Sequence, residues 1–379
     1  MYKEIIDFIR TLYPGDRTIP LHEPRFQGNE KNYVCDTIDS TFVSSVGAYV
    51  NRFEQMICDT TGAGYAVATV NGTLALHTAL KLAGVTPGDE VITQALTFIA
   101  TSNAIHYCGA EPVFLDVDRD TMGLSPEALK RFLDDHGDVD NGRCINRRTG
   151  RRIRACVPMH TFGHPLKIDE IAAVCDTYGL FLVEDSAESL GSLYKGTHTG
   201  TFGKIGIFSF NGNKIITCGG GGMIVTNDEM LGEQARHITT TAKKAHPYRY
   251  EHDIVGFNYR LPNLNAALGC AQMEHLDGFL RSKREVAEMY QTFFAGKGVS
   301  FFSEPDQARS NYWLNAIILE DRHHRDAFLE ETNQAGIMTR PIWNLISDSR
   351  MYGACQKDGL ENSRWFEDRV VNLPSSVRY

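Results

Sequence analysis

The sequence predicts an α/β protein with a large domain on a mostly parallel sheet and a small α+β domain after it. Two observations support this fold class. Between residues 65 and 226, short apolar runs typical of buried strands alternate with segments of helical periodicity, which is the pattern of a parallel sheet with crossover helices. After residue 300, strand and helix patterns are shorter and mixed. We therefore expect the N-terminal segment and the large domain to span residues 1–250, and the small domain to span 251–379.

The composition excludes several classes of protein. The net charge of −9 does not favour nucleic-acid binding, which needs a concentrated basic surface. Nine scattered cysteines without a C-x-x-C pair indicate reduced thiols, and neither a disulfide framework nor a zinc site. The N-terminus does not resemble a signal peptide, and no apolar run reaches the length of a membrane span. We expect a cytoplasmic protein without metal, nucleic acid or membrane as a partner.

The N-terminal part contains a candidate phosphate site. Residues 1–17 have helical spacing that ends at Pro14-Gly15, and residues 30–61 form two helical pieces around a turn. The strand at 65–70 leads into Gly72 and Thr73 at the start of a helix, where free N–H groups and the helix dipole favour an anion. An ordinary N-cap is the alternative reading. His77, inside this helix, is interpreted as a packed side chain.

The following strands bring further candidates. Phe98 follows the strand at 91–93, where it could stack on a flat heterocycle or belong to the core. Residues 133–154 pass from acidic to basic and predict an exposed hairpin or loop insertion. The alternative, left open, is that the arginines between Arg147 and Arg154 lie near a diphosphate of a neighbouring subunit. His160 and His164 lack metal-binding helical geometry, because Gly163 and Pro165 interrupt that spacing.

The central stretch carries the chemistry. The apolar strand at 181–183 ends in Glu184 and Asp185, and such strand ends face the ligand crevice of an α/β protein. Lys214 lies between the strand at 205–210 and a glycine tract at 219–222. A lysine amine can form a Schiff base with pyridoxal phosphate, and a carboxylate can pair with the pyridine nitrogen. Lys214 and Asp185 therefore predict a pyridoxal phosphate site.

The C-terminal part predicts the small domain. A long helical pattern from 264 to 291 joins the domains, and a strand at 312–319, a helix at 325–335 and a strand at 336–339 follow. After these, Arg340 and Trp343 could face a substrate, with packing as the alternative for Trp343.

Two motifs resemble a known family. V-E-D-S-A-E at 183–188 and F-S-F-N-G-N-K at 208–214 resemble the DegT/DnrJ/EryC1/StrS sugar aminotransferases, and the resemblance extends from about residue 19 to 374. Residues 42–54, 209–222 and 372–376 look most like the branch that aminates UDP-linked 4-keto sugars for legionaminic acid or bacillosamine. The resemblance implies the pyridoxal phosphate-dependent transferase type I, or aspartate aminotransferase-like, fold.

The resemblance also assigns roles to residues. It implies a covalent aldimine between pyridoxal 5′-phosphate and the catalytic Lys214, and a bond from Asp185 to the pyridine nitrogen. Glu188 would lie near the phenolic oxygen, with a helix-surface acid as the alternative. The other implied cofactor contacts are Gly72, Thr73 and Ser209 at the phosphate, Phe98 on the ring, and Asn258 at the phosphate of the other subunit. Asn258 therefore implies a homodimer with shared active sites.

The implied reaction has two halves on one site. L-glutamate would leave as 2-oxoglutarate with a pyridoxamine phosphate intermediate, which would then aminate a nucleotide-linked keto sugar. UDP is favoured, and UDP-4-amino-4,6-dideoxy-N-acetylglucosamine is the expected product. The alternatives are a GDP- or dTDP-keto sugar, or a non-catalytic binding protein of the same fold. A related dehydratase would have histidine in place of Lys214, and a nicotinamide enzyme would need a G-x-G-x-x-G turn, which is missing.

Overall fold

A computed structural model describes residues 2–15 and 18–378 of the chain. Its helices are α1 (Tyr2–Leu12), α2 (Glu30–Asp39), α3 (Ala48–Thr61), α4 (Gly72–Leu82), α5 (Ile99–Tyr107), α6 (Pro126–His136), α7 (Ile168–Tyr178), α8 (Glu229–Thr239), α9 (Asn263–Met273), α10 (Leu276–Phe294), α11 (Arg322–Gln334) and α12 (Glu361–Glu367). Across the described ranges, no helix is both long enough and apolar enough to cross a membrane.

The strands are β1 (Tyr65–Thr69), β2 (Glu90–Gln94), β3 (Glu111–Leu115), β4 (Gly137–Asp140), β5 (Arg143–Asn146), β6 (Arg152–Val157), β7 (Phe181–Asp185), β8 (Leu193–Tyr194), β9 (Thr197–His198), β10 (Ile205–Ser209), β11 (Gly222–Thr226), β12 (Ser300–Phe301), β13 (Ala308–Arg309), β14 (Asn315–Ile318), β15 (Arg340–Pro341) and β16 (Val370–Leu373).

The large sheet has the strand order β1-β11-β10-β7-β6-β2-β3. The pairs β10–β7, β7–β6, β6–β2 and β2–β3 are parallel, and β11 is antiparallel to both of its neighbours. The predicted mostly parallel sheet is therefore confirmed. Because β11 alone is reversed along this path, β1, β10, β7 and β6 all end at the same edge of the sheet.

Helices cover both faces of this sheet. On one face, Ile207 and Val183 pack with side chains of α4, α5 and α8. On the other face, Phe208 packs with α3 and α9, and Leu182 packs with α6 and α7. Neighbouring residues of one strand thus enter opposite cores, which explains the continuous apolar runs of the strands.

The small domain is built on the antiparallel sheet β12-β14-β16-β15. Its core joins Val371 of β16 with Tyr290 of α10 and Phe328 of α11. Ile5 and Ile9 of α1 belong to the same core, so the N-terminal helix packs with the small sheet. The domain boundary near residue 250 stays a prediction.

Two predicted elements differ from the structure. The helix predicted over 264–291 is two helices, which are separated by Glu274 and His275. Glu274 Oε1 accepts bonds from Tyr33 (2.6 Å) and Arg52 (2.7 Å). The strand predicted at 336–339 is wrong: Gly336 ends α11 with a φ of 74°, and Ile337 forms only an isolated bridge to Ile19. The predicted helix at 1–17 is confirmed over Tyr2–Leu12, whereas residues 1, 16 and 17 lie outside the described residues.

The acidic-to-basic segment is the predicted hairpin. β4 and β5 pair around Asn141 and Gly142, which both have positive φ (49° and 72°), as a tight hairpin turn requires. Arg151 pairs with Glu111 (2.5 Å), and the Arg154 guanidinium donates to the Ala83 carbonyl. These contacts are within the chain and give no support to a diphosphate site here.

Candidate active site

A cleft of about 440 Å³ lies at the common edge where β7 and β10 end. Seven of the eight predicted site residues line it: Gly72, Thr73, Phe98, Asp185, Glu188, Ser209 and Lys214. Met159, Trp313 and Trp343 complete the apolar part of the wall. The structure thus brings together residues that are far apart in the sequence.

Lys214 lies in the loop between β10 and β11. The loop is closed at its base, because Phe210 and Gly221 are hydrogen-bonded and Cys218 N–H donates to the Phe210 carbonyl. Lys214 Nζ lies 3.1 Å from Glu188 Oε1 and 3.9 Å from the centroid of the Trp313 ring. The amine is therefore held at the cleft between a carboxylate and an aromatic face.

Asp185 ends β7 and is buried. Thr101 Oγ1 donates to its Oδ2 (2.7 Å), and the Ala187 N–H donates to its Oδ1 (3.2 Å). Burial raises the pKa of the Asp185 carboxyl, and the Thr101 and Ala187 bonds and the charge of Lys214 counteract this rise. A cationic N–H in the cleft would be a suitable partner for this carboxylate.

Glu188 is buried as well, which excludes the alternative of an acid on a helix surface. Its Oε2 accepts the Phe162 N–H (2.9 Å), while Oε1 faces Lys214. Burial raises the pKa of the Glu188 carboxyl, and the positive charge of Lys214 lowers it. Glu188 therefore lies beside the amine as a fixed carboxyl group.

The start of α4 meets the end of β10 in a narrow corner. The Asn71 side chain caps the helix by accepting the Leu74 N–H (2.9 Å), and helix geometry leaves the amides of Gly72 and Thr73 without an intrahelical acceptor. A Cβ at position 72 would lie 2.9 Å from the Ser209 Cβ and 3.2 Å from its Oγ. Only glycine permits this approach, so backbone N–H groups and a hydroxyl converge at one helix N-terminus, as a phosphate requires.

Aromatic side chains surround the cleft. Phe98 is 50% exposed, so it is not a core residue, and its ring centroid lies 6.4 Å from that of Trp343. Trp343 also contacts Phe162, with centroids 5.0 Å apart, and therefore both packs and faces the cleft. Flat surfaces of this kind suit a planar heterocycle.

Sequence reasoning missed Trp313 and Thr101. Trp313 comes from the entrance to β14, and the sequence near Lys214 contains no signal for it. Thr101 could have been predicted from the sequence. It lies in the first turn of α5, which follows β2, and parallel strands such as β2 and β7 end at the same edge of the sheet. It supplies the 2.7 Å bond to Asp185 described above.

Asn258 lies outside the cleft of its own chain. It is exposed and forms an isolated bridge with Thr240. Nearby, Arg260 is buried and paired with Glu54 (2.8 Å). A larger cleft of about 650 Å³ adjoins this region and is lined by Thr240 and Arg260, but it contains none of the predicted residues. The role of Asn258 at a neighbouring subunit stays a prediction.

Two other acid–base residues of the region are structural. Glu184 accepts the N–H groups of Gly200 (2.8 Å), Phe202 (2.7 Å) and Gly203 (2.6 Å). His160 Nδ1 accepts the Leu166 N–H, so its Nε2 carries the proton that is donated to Glu184 (3.1 Å). Both side chains are fully buried below the cleft.

The chemical groups that line the cleft fit pyridoxal phosphate. It offers an amine, a buried carboxylate for a pyridine nitrogen, an anion-binding corner closed by glycine, and aromatic faces. Each feature corresponds to one part of the cofactor.

Comparison with known proteins identifies the family. The chain is 37% identical to the GDP-perosamine synthase of Vibrio cholerae over 360 residues, covering 94% of each chain. It is also 37% identical to the GDP-perosamine synthase of Escherichia coli O157:H7, over 94% of this chain and 93% of the relative. The crystal structure of the aminotransferase TlmJ from Streptoalloteichus hindustanus has a TM-score of 0.85 at 27% identity, covering 94% and 93% of the two chains.

These relatives do not support the predicted UDP-sugar branch, because both curated relatives are named for a GDP-linked sugar. The type I fold and the cofactor are confirmed. The model of the DegT/DnrJ/EryC1/StrS aminotransferase family matches residues 24–379. The chain therefore belongs to this family and is a pyridoxal phosphate-dependent sugar aminotransferase.

Proposed function

We propose that this aminotransferase moves an amino group from L-glutamate to the keto carbon of a GDP-linked sugar, with Lys214 as the catalytic residue. The observation that carries the site assignment is the convergence of Lys214, Asp185 and the Gly72–Ser209 corner in one cleft. A non-catalytic protein of this fold would have little use for all of these groups together.

The cofactor, when bound, supplies an aldehyde carbon and an electron-withdrawing ring. Asp185 would accept the N–H of the ring and keep the nitrogen protonated, while Thr101 orients the carboxylate. The amides of Gly72 and Thr73 and the Ser209 hydroxyl would hold the phosphate. These groups line the same cleft as Lys214.

Lys214 is the group that moves the proton. Its amine would take a proton from the substrate carbon and release it again, so that one nitrogen serves as base and then as acid. Glu188 Oε1, 3.1 Å away, is placed to hold the ammonium form between the two transfers. The second half-reaction uses the same group in the reverse direction.

The GDP-linked acceptor is supported by the two perosamine synthases, each aligned over most of its length. A UDP-linked keto sugar is the second candidate, because residues 42–54 and 209–222 resemble the UDP-sugar branch. A dTDP-linked sugar remains the third acceptor for the assay.

We further propose a cytoplasmic homodimer in which Asn258 completes the site of the other subunit. Apolar side chains near this position support the proposal: Val46 is 69% exposed and Val255 is 85% exposed. Phe42 and Ile254 are also exposed. A second copy of the chain would cover such a surface.

Absorbance spectroscopy tests the function. Protein loaded with pyridoxal phosphate should lose the band of the lysine-bound cofactor when L-glutamate is added, whereas a Lys214→Ala variant should not show this change. Lys204→Ala is the matched control, because Lys204 is exposed in the same region and should be dispensable. GDP-, UDP- and dTDP-linked keto sugars are then tested for return of the band.

Each part of the proposal can fail separately. A Lys204→Ala variant that loses the band while Lys214→Ala retains it would refute the lysine assignment. A band that L-glutamate leaves unchanged would exclude this donor. Return of the band with a UDP-linked sugar alone would replace the GDP proposal with the second candidate.

A further inference from the structure

Trp313 forms the wall against which the Lys214 amine rests, and contacts on several sides fix its position. Its ring centroid lies 3.9 Å from Lys214 Nζ. The indole N–H donates to the carbonyl of Asn213, the residue before the lysine (2.6 Å). The backbone carbonyl of Trp313 accepts a bond from Lys283 Nζ (3.1 Å). The ring is thereby bonded to the lysine loop, and the backbone of Trp313 is bonded to α10.

Lys283 is fully buried and has no carboxylate partner among the described residues. Its Nζ donates to the carbonyls of Trp313 and Ser375 (2.6 Å). Burial lowers the pKa of the Lys283 amine well below its ordinary range, which shows how unfavourable a charge is at this place. The amine satisfies two buried carbonyl oxygens, and one of them belongs to the backbone of Trp313.

The turn before Trp313 is also held tightly. Tyr312 has a φ of 46°, in the left-handed region that a non-glycine residue seldom adopts. Asn311 stabilises this turn, because its Oδ1 accepts the Trp313 N–H (2.8 Å) while its Nδ2 donates to the Glu188 carbonyl (2.9 Å). The same segment thus connects the backbones of the two residues, Trp313 and Glu188, whose side chains lie beside the Lys214 amine.

We propose that Trp313 is a further catalytic residue, which holds the amine of Lys214 over its ring, and that Lys283 is a positioning residue that acts through Trp313. The inference rests on the role of Lys214 proposed above. In that role, the Lys214 amine would gain one proton from the substrate carbon and then release it. The ring face stabilises the ammonium form between these two steps and keeps it at the cleft.

The test measures the reactivity of Lys214 in protein without cofactor. The protein is treated briefly with acetic anhydride, and acetylation of Lys214 is compared by mass spectrometry with that of the exposed Lys204 in the same sample. Trp313→Leu removes the ring face, so we expect Lys214 to react about threefold to tenfold faster relative to Lys204 near neutral pH. Trp313→Phe retains an aromatic face and should fall between Trp313→Leu and wild type.

The pH dependence separates this effect from simple exposure. The excess reactivity of the Trp313→Leu variant should shrink as the pH approaches about 10.4, where free lysines become amines even without help. An excess of the same size at every pH would mean that leucine merely opens access, and would overturn the role of the ring. An unchanged ratio in Trp313→Leu would overturn it as well.

Lys283→Met tests the positioning role. We expect faster acetylation of Lys214 in this variant, and no further increase when Lys283→Met is added to Trp313→Leu, because the effect passes through the ring. If Lys283→Met increases the acetylation of Lys214 by the same factor in wild type and in Trp313→Leu, the effect does not pass through Trp313 and the positioning role is refuted. If the methionine variant does not fold, Lys283→Leu, which also lacks a donor, takes its place in the same comparison. Lys283→Gln keeps an amide donor and should leave the acetylation of Lys214 close to that of wild type.

The acetylation ratio does not depend on cofactor binding or turnover. A failure of the Lys214 assignment appears as a retained absorbance band in Lys214→Ala, whereas a failure of the present inference appears only in the acetylation ratios. The two outcomes are therefore distinguishable.

Discussion

The hydroxyl of Thr101 provides the sharpest test of the site, because one bond connects it to the predicted partner of the cofactor ring. Thr101 Oγ1 lies 2.7 Å from Asp185 Oδ2 and 3.1 Å from the Thr97 hydroxyl. Thr101→Val replaces this hydroxyl with a methyl group of similar size. A hydrogen bond to a charged group contributes about 1.5–3 kcal/mol, so its loss weakens the carboxylate form of Asp185 by that order.

This loss should slow the glutamate half-reaction by about tenfold to a hundredfold, since each 1.4 kcal/mol corresponds to a factor of about ten. The assay is stopped-flow absorbance of the loaded protein after one addition of L-glutamate. Ser102→Ala is the matched control, because Ser102 is a buried hydroxyl on the same helix whose oxygen has no hydrogen-bond partner among the described residues.

We expect the rate of Ser102→Ala to stay within about twofold of wild type, because no bond is lost. Equal slowing of the two variants would show that the helix, and not the bond to Asp185, determines the rate. A wild-type rate in Thr101→Val would contradict the proposed support of Asp185.

Three further predictions concern the same cleft. Burial raises the pKa of Asp185, so in the folded protein without cofactor this carboxyl keeps a proton that the unfolded chain has released, and its contribution to the free energy of unfolding should fall as the pH rises above about 4. Urea unfolding should therefore show the stability of Asp185→Asn rising relative to that of wild type toward about pH 7. Gly72→Ala places a Cβ 2.9 Å from the Ser209 side chain and should weaken pyridoxal phosphate binding by about tenfold, since overpacking costs about 1–3 kcal/mol. Gly212→Ala is the control, because its Cβ would lie 4.0 Å from the nearest atom. A fluorescence titration with pyridoxal phosphate measures both affinities, and equal values would contradict the close contact between Gly72 and Ser209. Asn258→Ala and Lys214→Ala should each be inactive alone, and an equal mixture should recover about a quarter of wild-type activity if the sites are shared. If Asn258 takes no part in the other subunit's site, Asn258→Ala should be active alone and the mixture should have about half of wild-type activity.

The sequence predicted the large sheet well because its strands are buried on both faces. Each strand is therefore a continuous apolar run, and Asp185 could be placed at the end of one such run without a structure. Lys214 was equally accessible, because a glycine tract and a strand on either side fix its place in the chain.

Features that depend on distant contacts could not be predicted in this way. The break between α9 and α10 falls at Glu274 and His275, with no glycine or proline to signal it, and Glu274 binds Tyr33 and Arg52 of other helices. Likewise, nothing local indicates that Trp313 reaches Lys214, since a buried tryptophan before a strand has the pattern of an ordinary core residue. Such positions require knowledge of how the two domains meet.

The reversed strand β11 has a consequence for how the chain matures on the ribosome. Tyr65 of β1 pairs with Thr226 of β11, and β11 is the only neighbour of β1 in the strand order of the described residues, so the first strand of this sheet has no partner strand until the last one has been synthesised. Pairing over such a sequence separation is intrinsically slow, and an unpaired strand edge favours aggregation meanwhile. The Gly72–Ser209 corner forms only when that gap closes. During refolding, the protein should therefore bind the cofactor only after β11 has paired and the sheet is complete.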